Sequence, residues 1–281
     1  MKEKISAVVC ILNEEKRLED CLLLLLKNKP DEIIVVDGGS SDKSVEIAKK
    51  YTNNIIESKN SNLTRDRQKG INAAKNQYIA MIDADHRLEK NTLESLLNEL
   101  NKYSFDIGQS QLKSYENLSW LNRAEEEQWN LTHNISETRK MIGVAPAIYK
   151  KSIFDKVKFD DYITKTIDDT DFSYRLSLHP EFKYGILDTK VSQLHDPSLK
   201  SYMKKFKWYG IGDGEFCIKN PRRMFSMIFH LAIRYPVVYS VKSAIKFKFL
   251  TIPFFILQGN VRLYFALSTI IKNYMQILFK K

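Results

Sequence analysis

Short apolar runs alternate with amphipathic segments through the first hundred residues of the chain. Apolar runs of strand length cover residues 5–12, 32–36, 54–57 and 78–82, and helical patterns fill the intervals between them. This β-α-β-α-β-α-β order, with strands that are apolar at nearly every position, predicts a parallel sheet covered by helices on both faces. Right-handed crossovers would then bring the carboxyl ends of the strands to one edge of the sheet.

The second part of the chain continues this alternation less regularly. An amphipathic helix is predicted after Asn91, and strands are predicted over residues 105–112 and 183–194. Between these two strands, residues 115–140 are polar and aromatic, with Trp120 and Trp129 on a predicted helix. Each tryptophan is expected either to pack in a core or to offer an apolar platform to a sugar ring.

Polar side chains follow three of the predicted strands at the point where each strand ends. These are Asn13 and Glu14, then Asp37 with Gly38 and Gly39, and finally Asp83 and Asp85. The carboxyl ends of strands line the ligand crevice of open α/β sheets, and two carboxylates there suit a hard divalent cation that holds phosphate oxygens. The alternative is that the acids cap helices or shape turns and that the glycines only form a tight turn. The sequence contains neither the GxGxxG dinucleotide pattern nor a GxxxxGK[ST] phosphate loop.

Cysteine content and charge indicate the cellular compartment and the kind of partner surface. The three cysteines form no CxxC pair and indicate a reducing compartment, and a predicted strand beginning at Ile5 leaves no room for a signal peptide. The net charge of +10 is unevenly placed. Residues 200–281 hold fifteen Lys and Arg against two acids, a net +13, so the first 199 residues sum to −3. This asymmetry predicts an anionic partner surface for the C-terminal third.

The tail, residues 221–281, is rich in aromatic residues and is interrupted throughout by Lys and Arg. Its longest charge-free run, Phe249–Val261, is shorter than the roughly 20 residues of a spanning helix. We therefore expect amphipathic helices that lie in a membrane interface; a helical subdomain packed on the body or an oligomer contact is the alternative. The long apolar stretches between basic residues argue against a nucleic-acid partner.

Four segments carry a resemblance to a known family: VVCILNEEKRLEDCL, EIIVVDGGSSDKSVEIA, TRDRQKGINAAKNQYIAMIDAD and IDDTDFSYRL. In order and spacing they resemble the family 2 glycosyltransferases, whose nucleotide-sugar-binding fold is called GT-A. The resemblance implies an α/β, Rossmann-like GT-A domain with a mostly parallel sheet flanked by helices over residues 1–220. Its nucleotide-binding half is expected over residues 1–100 and its acceptor half over 101–220, followed by the helical amphipathic tail.

By this resemblance, the donor nucleotide contacts residues at the strand ends. Asp37 is expected at the base or ribose, and Gly38 stands where many relatives carry a second Asp that reads the base. Arg67 falls where relatives carry an Arg, with Arg65 as a competitor and a solvated helix face as the alternative for both. The remaining residues of the expected donor site are Asn13, Glu14 and Asp83, and Asp83 is expected to approach the ribose or to share the metal ion.

The resemblance also implies a bound Mn²⁺ or Mg²⁺ ion. Asp85 is expected to be the main protein ligand of this ion, which bridges the two phosphates of the donor. His195, at the end of the predicted strand 183–194, is expected to complete the coordination, because an imidazole beside a carboxylate suits Mn²⁺. His86 is expected to be structural or solvent-facing rather than a ligand.

An acidic cluster, Asp168, Asp169 and Asp171, matches the position of the family's general base, which is expected to be Asp169. Like-charge repulsion in the cluster would raise the pKa of one member, and Arg175, one turn on, can pair with Asp171. The alternative is a charged helix N-terminus, where Asp is favoured by the helix dipole. Lys204 and Trp208 weakly match a Gln-x-x-Arg-Trp signature and are candidates for contact with the diphosphate or the acceptor.

These expectations describe a metal-dependent, inverting glycosyltransferase that is peripheral at the cytoplasmic face of a membrane. Its donor is a UDP- or GDP-linked sugar, and its acceptor is a glycan or lipid-linked hydroxyl in surface polysaccharide or glycolipid synthesis. A polyprenyl-phosphate sugar transferase and an inactive nucleotide-sugar-binding or scaffolding relative stay open as alternatives. A sugar-nucleotide pyrophosphorylase is disfavoured, because ILNEEKR lacks a Gly-rich loop with a basic residue.

Overall fold

The computed structural model of the protein describes residues 3–59, 62–116, 119–136, 142–164 and 166–279. The chain forms two compact units. The first comprises Met1–Tyr115, His133–Asp161 and Asp168–Leu194, and the second comprises Glu116–Thr132, Tyr162–Ile167 and His195–Lys281. This division does not coincide with the expected boundary after residue 220, because segments 116–132, 162–167 and 195–219 cluster with the tail.

The first unit alternates strands and helices. Its strands are β1 (Ile5–Ile11), β2 (Glu32–Asp37), β3 (Ile55–Glu57), β4 (Tyr78–Asp83), β5 (His86–Arg87), β6 (Ile107–Ser114), β7 (Ala147–Lys150) and β8 (Tyr184–Gln193). Its helices are α1 (Leu18–Lys27), α2 (Ser44–Lys49), α3 (Leu63–Ala73), α4 (Thr92–Lys102) and α6 (Asp168–Leu176), and a 3-10 turn covers Lys151–Asp155. Helix α5 (Trp120–Thr132) belongs to the second unit.

All eight strands join one mixed sheet in the order β3-β2-β1-β4-β7-β6-β8-β5. Strands β1 to β4 run parallel to one another, β7 is antiparallel to both β4 and β6, and β8 is parallel to β6. The short strand β5 is antiparallel to β8. Six strands therefore run in one direction, which confirms the expected α/β class with a mostly parallel sheet.

The sheet is covered on both faces, as its continuously apolar strands require. On one face, Ala7 and Val9 of β1 pack with Leu22 of α1. On the other face, Val8 packs with Ile71 of α3. Gly70 lets α3 approach this closely, since a Cβ at that position would lie 2.4 Å from Val8 Cγ1. This close packing fixes the side chains that α3 presents at the carboxyl edge of the sheet.

The second unit is helical. It contains α5, α7 (Leu199–Lys219), a 3-10 turn (Pro221–Arg223), α8 (Met224–Phe229), a π-helical segment (His230–Tyr239), α9 (Ser240–Ile245) and α10 (Thr251–Phe279). Helix α10 packs closely on α7 at two glycines of α7 that have no Cβ to hold the helices apart. A Cβ at Gly210 would lie 2.5 Å from Arg262 O, and one at Gly214 would lie 2.6 Å from Thr269 Cβ. Within this contact, Asp213 and Arg262 form a buried bidentate pair with two N···O distances of 2.9 Å.

Two helical segments of the described chain are long and apolar enough to cross a membrane: Pro221–Ile245, with 25 residues, and Thr251–Phe279, with 29. Of the most apolar stretch of the first segment 11% is buried, and of that of the second segment 39% is buried. Helix α10 continues past Arg262, which bounds the charge-free run Phe249–Val261, so the length of that run does not exclude a spanning helix. The interfacial location of the tail stays a prediction.

Candidate active site

The end of the central strand β4 brings together the two carboxylates singled out in the sequence. Ligand atoms of Asp83, Asp85 and His86 all lie within 4.8 Å of one another. Asp85 is held from β8, because its Oδ2 accepts a hydrogen bond from Gln193 Nε2 at 2.9 Å and its backbone O accepts one from Leu194 N at 2.8 Å. Strand β5 continues directly from this turn and pairs with β8, which fixes the position of Asp85.

His86 is buried beneath these carboxylates, with 1% of its surface exposed. Its Nδ1 accepts a hydrogen bond from the backbone N–H of Asp83 at 3.0 Å, so the neutral ring carries its proton on Nε2. Nε2 lies 3.8 Å from Asp85 Oδ1. A ring nitrogen that bears a proton is not a metal ligand, and we therefore assign His86 to positioning the turn. The expectation of a structural role agrees with this geometry, whereas a solvent-facing His86 is wrong.

Arg67 on α3 joins the end of β4 to the start of α6. Its guanidinium is buried, with Nη2 3.4 Å from Asp83 Oδ1 and Nε 3.1 Å from Asp168 Oδ2. Burial opposes the charge of this guanidinium, but Asp83 and Asp168 together raise the pKa of Arg67. Its competitor Arg65 is exposed and pairs with Asp161 at 2.7 Å. Of the two arginines, Arg67 is therefore the one that belongs to the site.

Asp168 is buried at the first turn of α6. Burial raises the pKa of its carboxyl, Arg67 opposes the rise, and Asp83 adds to it. The expected repulsion within the cluster Asp168, Asp169 and Asp171 is not the main cause of this rise. The acid that adds to the rise is instead Asp83 at the end of β4, because Asp83 and Asp168 share one guanidinium.

The other members of the acidic cluster have separate surroundings. Asp171 is buried and forms an ion pair with Arg175, with 2.9 Å between Oδ2 and Nε, as expected from their spacing. Asp169 is half-buried, and its Oδ1 accepts a hydrogen bond from the N–H of Thr170 at 2.6 Å. Asp171 is therefore a structural acid, and Asp169 is the more accessible carboxylate of this helix start.

The loops after β1 and β2 are tied to each other by polar contacts. Asn13 has a φ of +56° and donates its backbone N–H to Ser40 Oγ at 2.9 Å. Its side-chain Oδ1 accepts a hydrogen bond from the N–H of Ser41 at 2.9 Å. Glu14 donates its N–H to Ser44 Oγ at 2.7 Å. Burial raises the pKa of Glu14; Arg17 opposes this, and Asp85 adds to it. Asn13 and Glu14 therefore connect the loops at the carboxyl ends of β1 and β2, and their contact with a donor stays a prediction.

The carboxylate of Asp37, at the end of β2, forms its hydrogen bonds within its own loop. Its carboxylate accepts hydrogen bonds from the N–H groups of Gly39 at 3.2 Å and Ser40 at 3.0 Å. Gly39 has a φ of +101°, a conformation that suits glycine. Asp37 thus stabilises the turn that carries Gly38, and its expected contact with a base or ribose stays a prediction.

His195 lies in the second unit, within a buried polar network. Its Nδ1 is 3.4 Å from Glu125 Oε2, and its ring centroid is 5.2 Å from that of Trp129. Glu125 also accepts hydrogen bonds from Tyr202 Oη and Lys205 Nζ, both at 2.7 Å. Burial acts to raise the pKa of Glu125, but Lys205 and His195 hold it below its ordinary value. The assignment of His195 as a metal ligand stays a prediction.

Helix α7 places the two remaining candidates on its surface. Lys204 is exposed, and Trp208 is 40% exposed with its ring centroid 6.0 Å from that of Tyr209. The lysine of this helix that enters the buried network is the next one, Lys205. Trp129 is buried and Trp120 is 39% exposed, so the core interpretation holds for Trp129.

Two features of the turn before α6 were not predicted from the sequence pattern. Ile167, which directly precedes α6, has a φ of +71°, and such strain in a β-branched residue is typical of functional sites. In the second unit, Gly212 makes room for this turn, since a Cβ there would lie 2.4 Å from Thr166 O. The available signal was the spacing of Gly210, Gly212 and Gly214 within one helix.

The fold and the arrangement of acids define an α/β protein of the GT-A type. The profile of glycosyl transferase family 2 matches residues 6–163, and the chain therefore belongs to this family. It is 37% identical over 123 residues to the cholesterol galactosyltransferase of Borreliella burgdorferi, covering 41% of this chain and 34% of that protein. It is 25% identical over 226 residues to the uncharacterized glycosyltransferase YibD of Escherichia coli, covering 68% of this chain and 64% of that protein. The chain thus spans about a third of the first of these relatives.

Solved structures share the fold at low identity. The S. aureus TarS fragment 1–349 in complex with UDP-GlcNAc superposes with a TM-score of 0.56 at 17% identity, covering 96% of this chain and 89% of that chain. GalNAc-T7 with UDP, GalNAc and Mn²⁺ superposes with a TM-score of 0.55 at 14% identity, covering 76% of this chain and 51% of that chain. These similarities establish the fold of this chain.

Proposed function

We propose that the protein is an inverting glycosyltransferase that moves a sugar from a nucleotide-diphosphate donor to an acceptor hydroxyl. The observation that carries this proposal is the shared guanidinium of Arg67, which connects the carboxylate pair after β4 with the acidic start of α6. One end of this site suits a diphosphate with its cation, and the other presents a carboxylate for proton transfer. Membership of glycosyl transferase family 2 supports this division of roles.

We assign Asp169 as the general base. Its carboxylate would accept the proton of the acceptor hydroxyl while that oxygen attacks the anomeric carbon on the face opposite the diphosphate. The bond between the anomeric carbon and the diphosphate oxygen breaks, and the diphosphate leaves with the electron pair. Configuration at the anomeric carbon is thereby inverted. The N–H of Thr170 orients the Asp169 carboxylate, and Arg67 fixes the neighbouring Asp168.

The carboxylates of Asp83 and Asp85 fit a divalent cation, because they offer converging oxygen ligands of the kind that Mg²⁺ and Mn²⁺ prefer. When bound there, such an ion neutralises negative charge on the departing diphosphate. The Mn²⁺ in the structure of GalNAc-T7 supports a cation of this class. His195 is the further ligand that we propose, on the family resemblance alone.

A uridine nucleotide is the donor class that we favour. TarS was solved with UDP-GlcNAc and GalNAc-T7 with UDP, and both share the fold of this chain. For the acceptor, the relative named cholesterol galactosyltransferase supports a lipid hydroxyl, alongside a glycan hydroxyl. A lipid acceptor also suits a location at the membrane face.

Two experiments test the site. Calorimetry would measure binding of UDP and GDP, with and without Mn²⁺, to wild type and to Asp85→Ala, and we expect metal-dependent UDP binding that the substitution abolishes. Transfer from UDP-galactose and UDP-N-acetylglucosamine would be followed on lipid extracts and oligosaccharide panels. Asp169→Asn should lower the rate at least about 100-fold while UDP still binds. Asp161→Asn, which alters an exposed acid, is the matched control. Equal rates for Asp169→Asn and wild type would remove Asp169 as the base.

We propose that the tail places the enzyme at an anionic membrane surface. Its exposed aromatic side chains include Phe225, Phe247 and Phe249, which are 82%, 81% and 60% exposed, and basic residues lie between them. Apolar side chains in the interface and Lys or Arg near anionic headgroups both favour such binding. The protein should float with phosphatidylglycerol vesicles but not with phosphatidylcholine vesicles, and Phe247→Ser/Phe249→Ser should weaken flotation. Release by alkaline carbonate would support the peripheral location, whereas retention would indicate a spanning helix.

A further inference from the structure

Asp66, on the first turn of α3, is a buried acid that the mechanism above does not use. Only 5% of its surface is exposed, and its Oδ1 is buried without a hydrogen-bond partner among the described residues. Buried carboxylate oxygens are expensive to leave unsatisfied, and native structures contain few of them. An unsatisfied oxygen of this kind points to a hydrogen-bond donor that arrives with a ligand.

The position of Asp66 places this acceptor at the carboxyl edge of the sheet. A Cβ built on Gly38, directly after β2, would lie 3.0 Å from Asp66 Oδ2. The carboxylate therefore occupies the space that a side chain at residue 38 would take. Its neighbour Asp37 already accepts two backbone hydrogen bonds from its own loop, whereas Asp66 Oδ1 accepts none from the part of the chain that the structure describes.

We propose that Asp66 reads the base of the donor nucleotide, and that the base is uracil; this inference rests on the proposed function. A carboxylate accepts hydrogen bonds and donates none, so it requires a base that presents an N–H. Uracil presents its ring N3–H between two carbonyl groups. Guanine also presents a ring N–H, and we choose uracil because the structural neighbours were solved with UDP or a UDP-sugar. Adenine has no ring N–H on its pairing edge, and its ring nitrogen would face the carboxylate as a second acceptor. Asp66 is thus a specificity-determining residue, whose carboxylate reaches the base because Gly38 has no side chain in the way.

The test compares UDP with its N3-methyl analogue by calorimetry in the presence of Mn²⁺. Wild type should bind UDP at least about tenfold more tightly than the N3-methyl analogue, because methylation removes the donated hydrogen bond. Asp66→Ala should weaken UDP binding by at least about tenfold and bind both ligands equally. The reciprocal variant Gly38→Asp/Asp66→Ala should restore tight UDP binding and the preference for UDP over its N3-methyl analogue. It supplies a carboxylate from residue 38, whose Cβ would lie 3.0 Å from the present position of Asp66 Oδ2. Glu94→Gln, at an exposed acid on α4, is the matched control and should behave as wild type.

The outcomes separate this inference from the proposed function. If wild type binds UDP and Asp66→Ala binds it equally well, the base-reading role is wrong and the proposed function stands. A wild-type preference for GDP overturns the uracil assignment, and failure of wild type to bind any nucleotide overturns both proposals. Thermal unfolding by circular dichroism shows that each variant is folded, and Asp66→Asn, which conserves shape, provides a second variant. We expect Asp66→Ala to be at least as stable as wild type, because it removes a buried carboxylate without a partner.

Discussion

Replacing Arg67 by Met should expose how much of the stability of the site depends on one guanidinium. The substitution retains the volume of the buried stem and removes the charge shared by Asp83 and Asp168. At an effective dielectric constant of about 20, each contact is worth about 5 kcal/mol before desolvation. Asp83 is 36% exposed and water will screen its contact, whereas Asp168 is 7% exposed. The Asp168 contact therefore dominates, and we expect Arg67→Met to lower the free energy of unfolding by about 3 kcal/mol.

The measurement is urea unfolding followed by circular dichroism at neutral pH. Arg65→Met is the matched control, because it removes a charge two residues away on the same helix. The pair Arg65–Asp161 is exposed on both sides, so this control should cost less than about 1 kcal/mol. Arg67→Met/Asp168→Asn should recover part of the loss, since it removes the carboxylate that was left without a cation. Equal losses for Arg67→Met and Arg65→Met would refute the assignment of Arg67 as a buried bridge.

The pH dependence of this variant has a defined sign. Burial and Asp83 already raise the pKa of Asp168, and Arg67 is the largest of the influences that oppose them. Without Arg67 the pKa rises further. An acid whose pKa is raised on folding stabilises the folded state below its unfolded pKa, and this contribution is lost as the pH rises through the folded value. The stability difference between wild type and Arg67→Met should therefore shrink as the pH falls from neutral towards the ordinary range of a carboxyl group.

Three further predictions concern packing and loop structure. Asp213→Asn should destabilise the second unit by about 3–5 kcal/mol in urea unfolding, because it leaves Arg262 buried without its charge partner. Gly214→Ala should cost about 1–3 kcal/mol in the same assay, since its Cβ would lie 2.6 Å from a side chain of α10. Asp42 Oδ1 accepts hydrogen bonds from the N–H and the hydroxyl of Ser44 at the start of α2, so Asp42→Asn should cost less than about 1 kcal/mol at neutral pH and progressively less in acid. Desolvation acts to raise the pKa of Asp42, but hydrogen bonds from Ser44 hold it below its ordinary value, so this stabilisation is lost as the pH falls through the lowered pKa.

The strands β1 to β4 were predictable because each is an apolar run bounded by polar residues, and each observed strand lies close to its predicted range. Strand β5, with two residues, has no such pattern and forms only through its pairing with β8. The direction of β7 was likewise not visible locally, because an antiparallel partner is chosen by distant parts of the chain. Local patterns thus predicted the nucleotide-binding half better than the rest of the sheet.

The residues of the site were predictable as a set but not in their individual roles. Arg65 and Arg67 are equivalent as sequence, yet two residues on a helix differ by about 200° in direction, so only one of them can face the sheet. The sequence also offered Asp37 as the acid for the base, since Gly38 carries no side chain. The carboxylate beside Gly38 comes from Asp66 on α3, and only the packing of α3 on β1 shows that these residues are neighbours.

The buried pair between Asp213 and Arg262 has a practical consequence for handling the protein. Shortening the chain before α10, as a way to remove an apolar tail, would take away Arg262 and leave Asp213 buried without its cation. It would also uncover the glycine-lined face of α7 that α10 covers. A shortened chain should therefore aggregate rather than become more soluble. Polar replacements at the outward-facing aromatic positions of the tail are the better route to detergent-free protein for calorimetry and crystallisation.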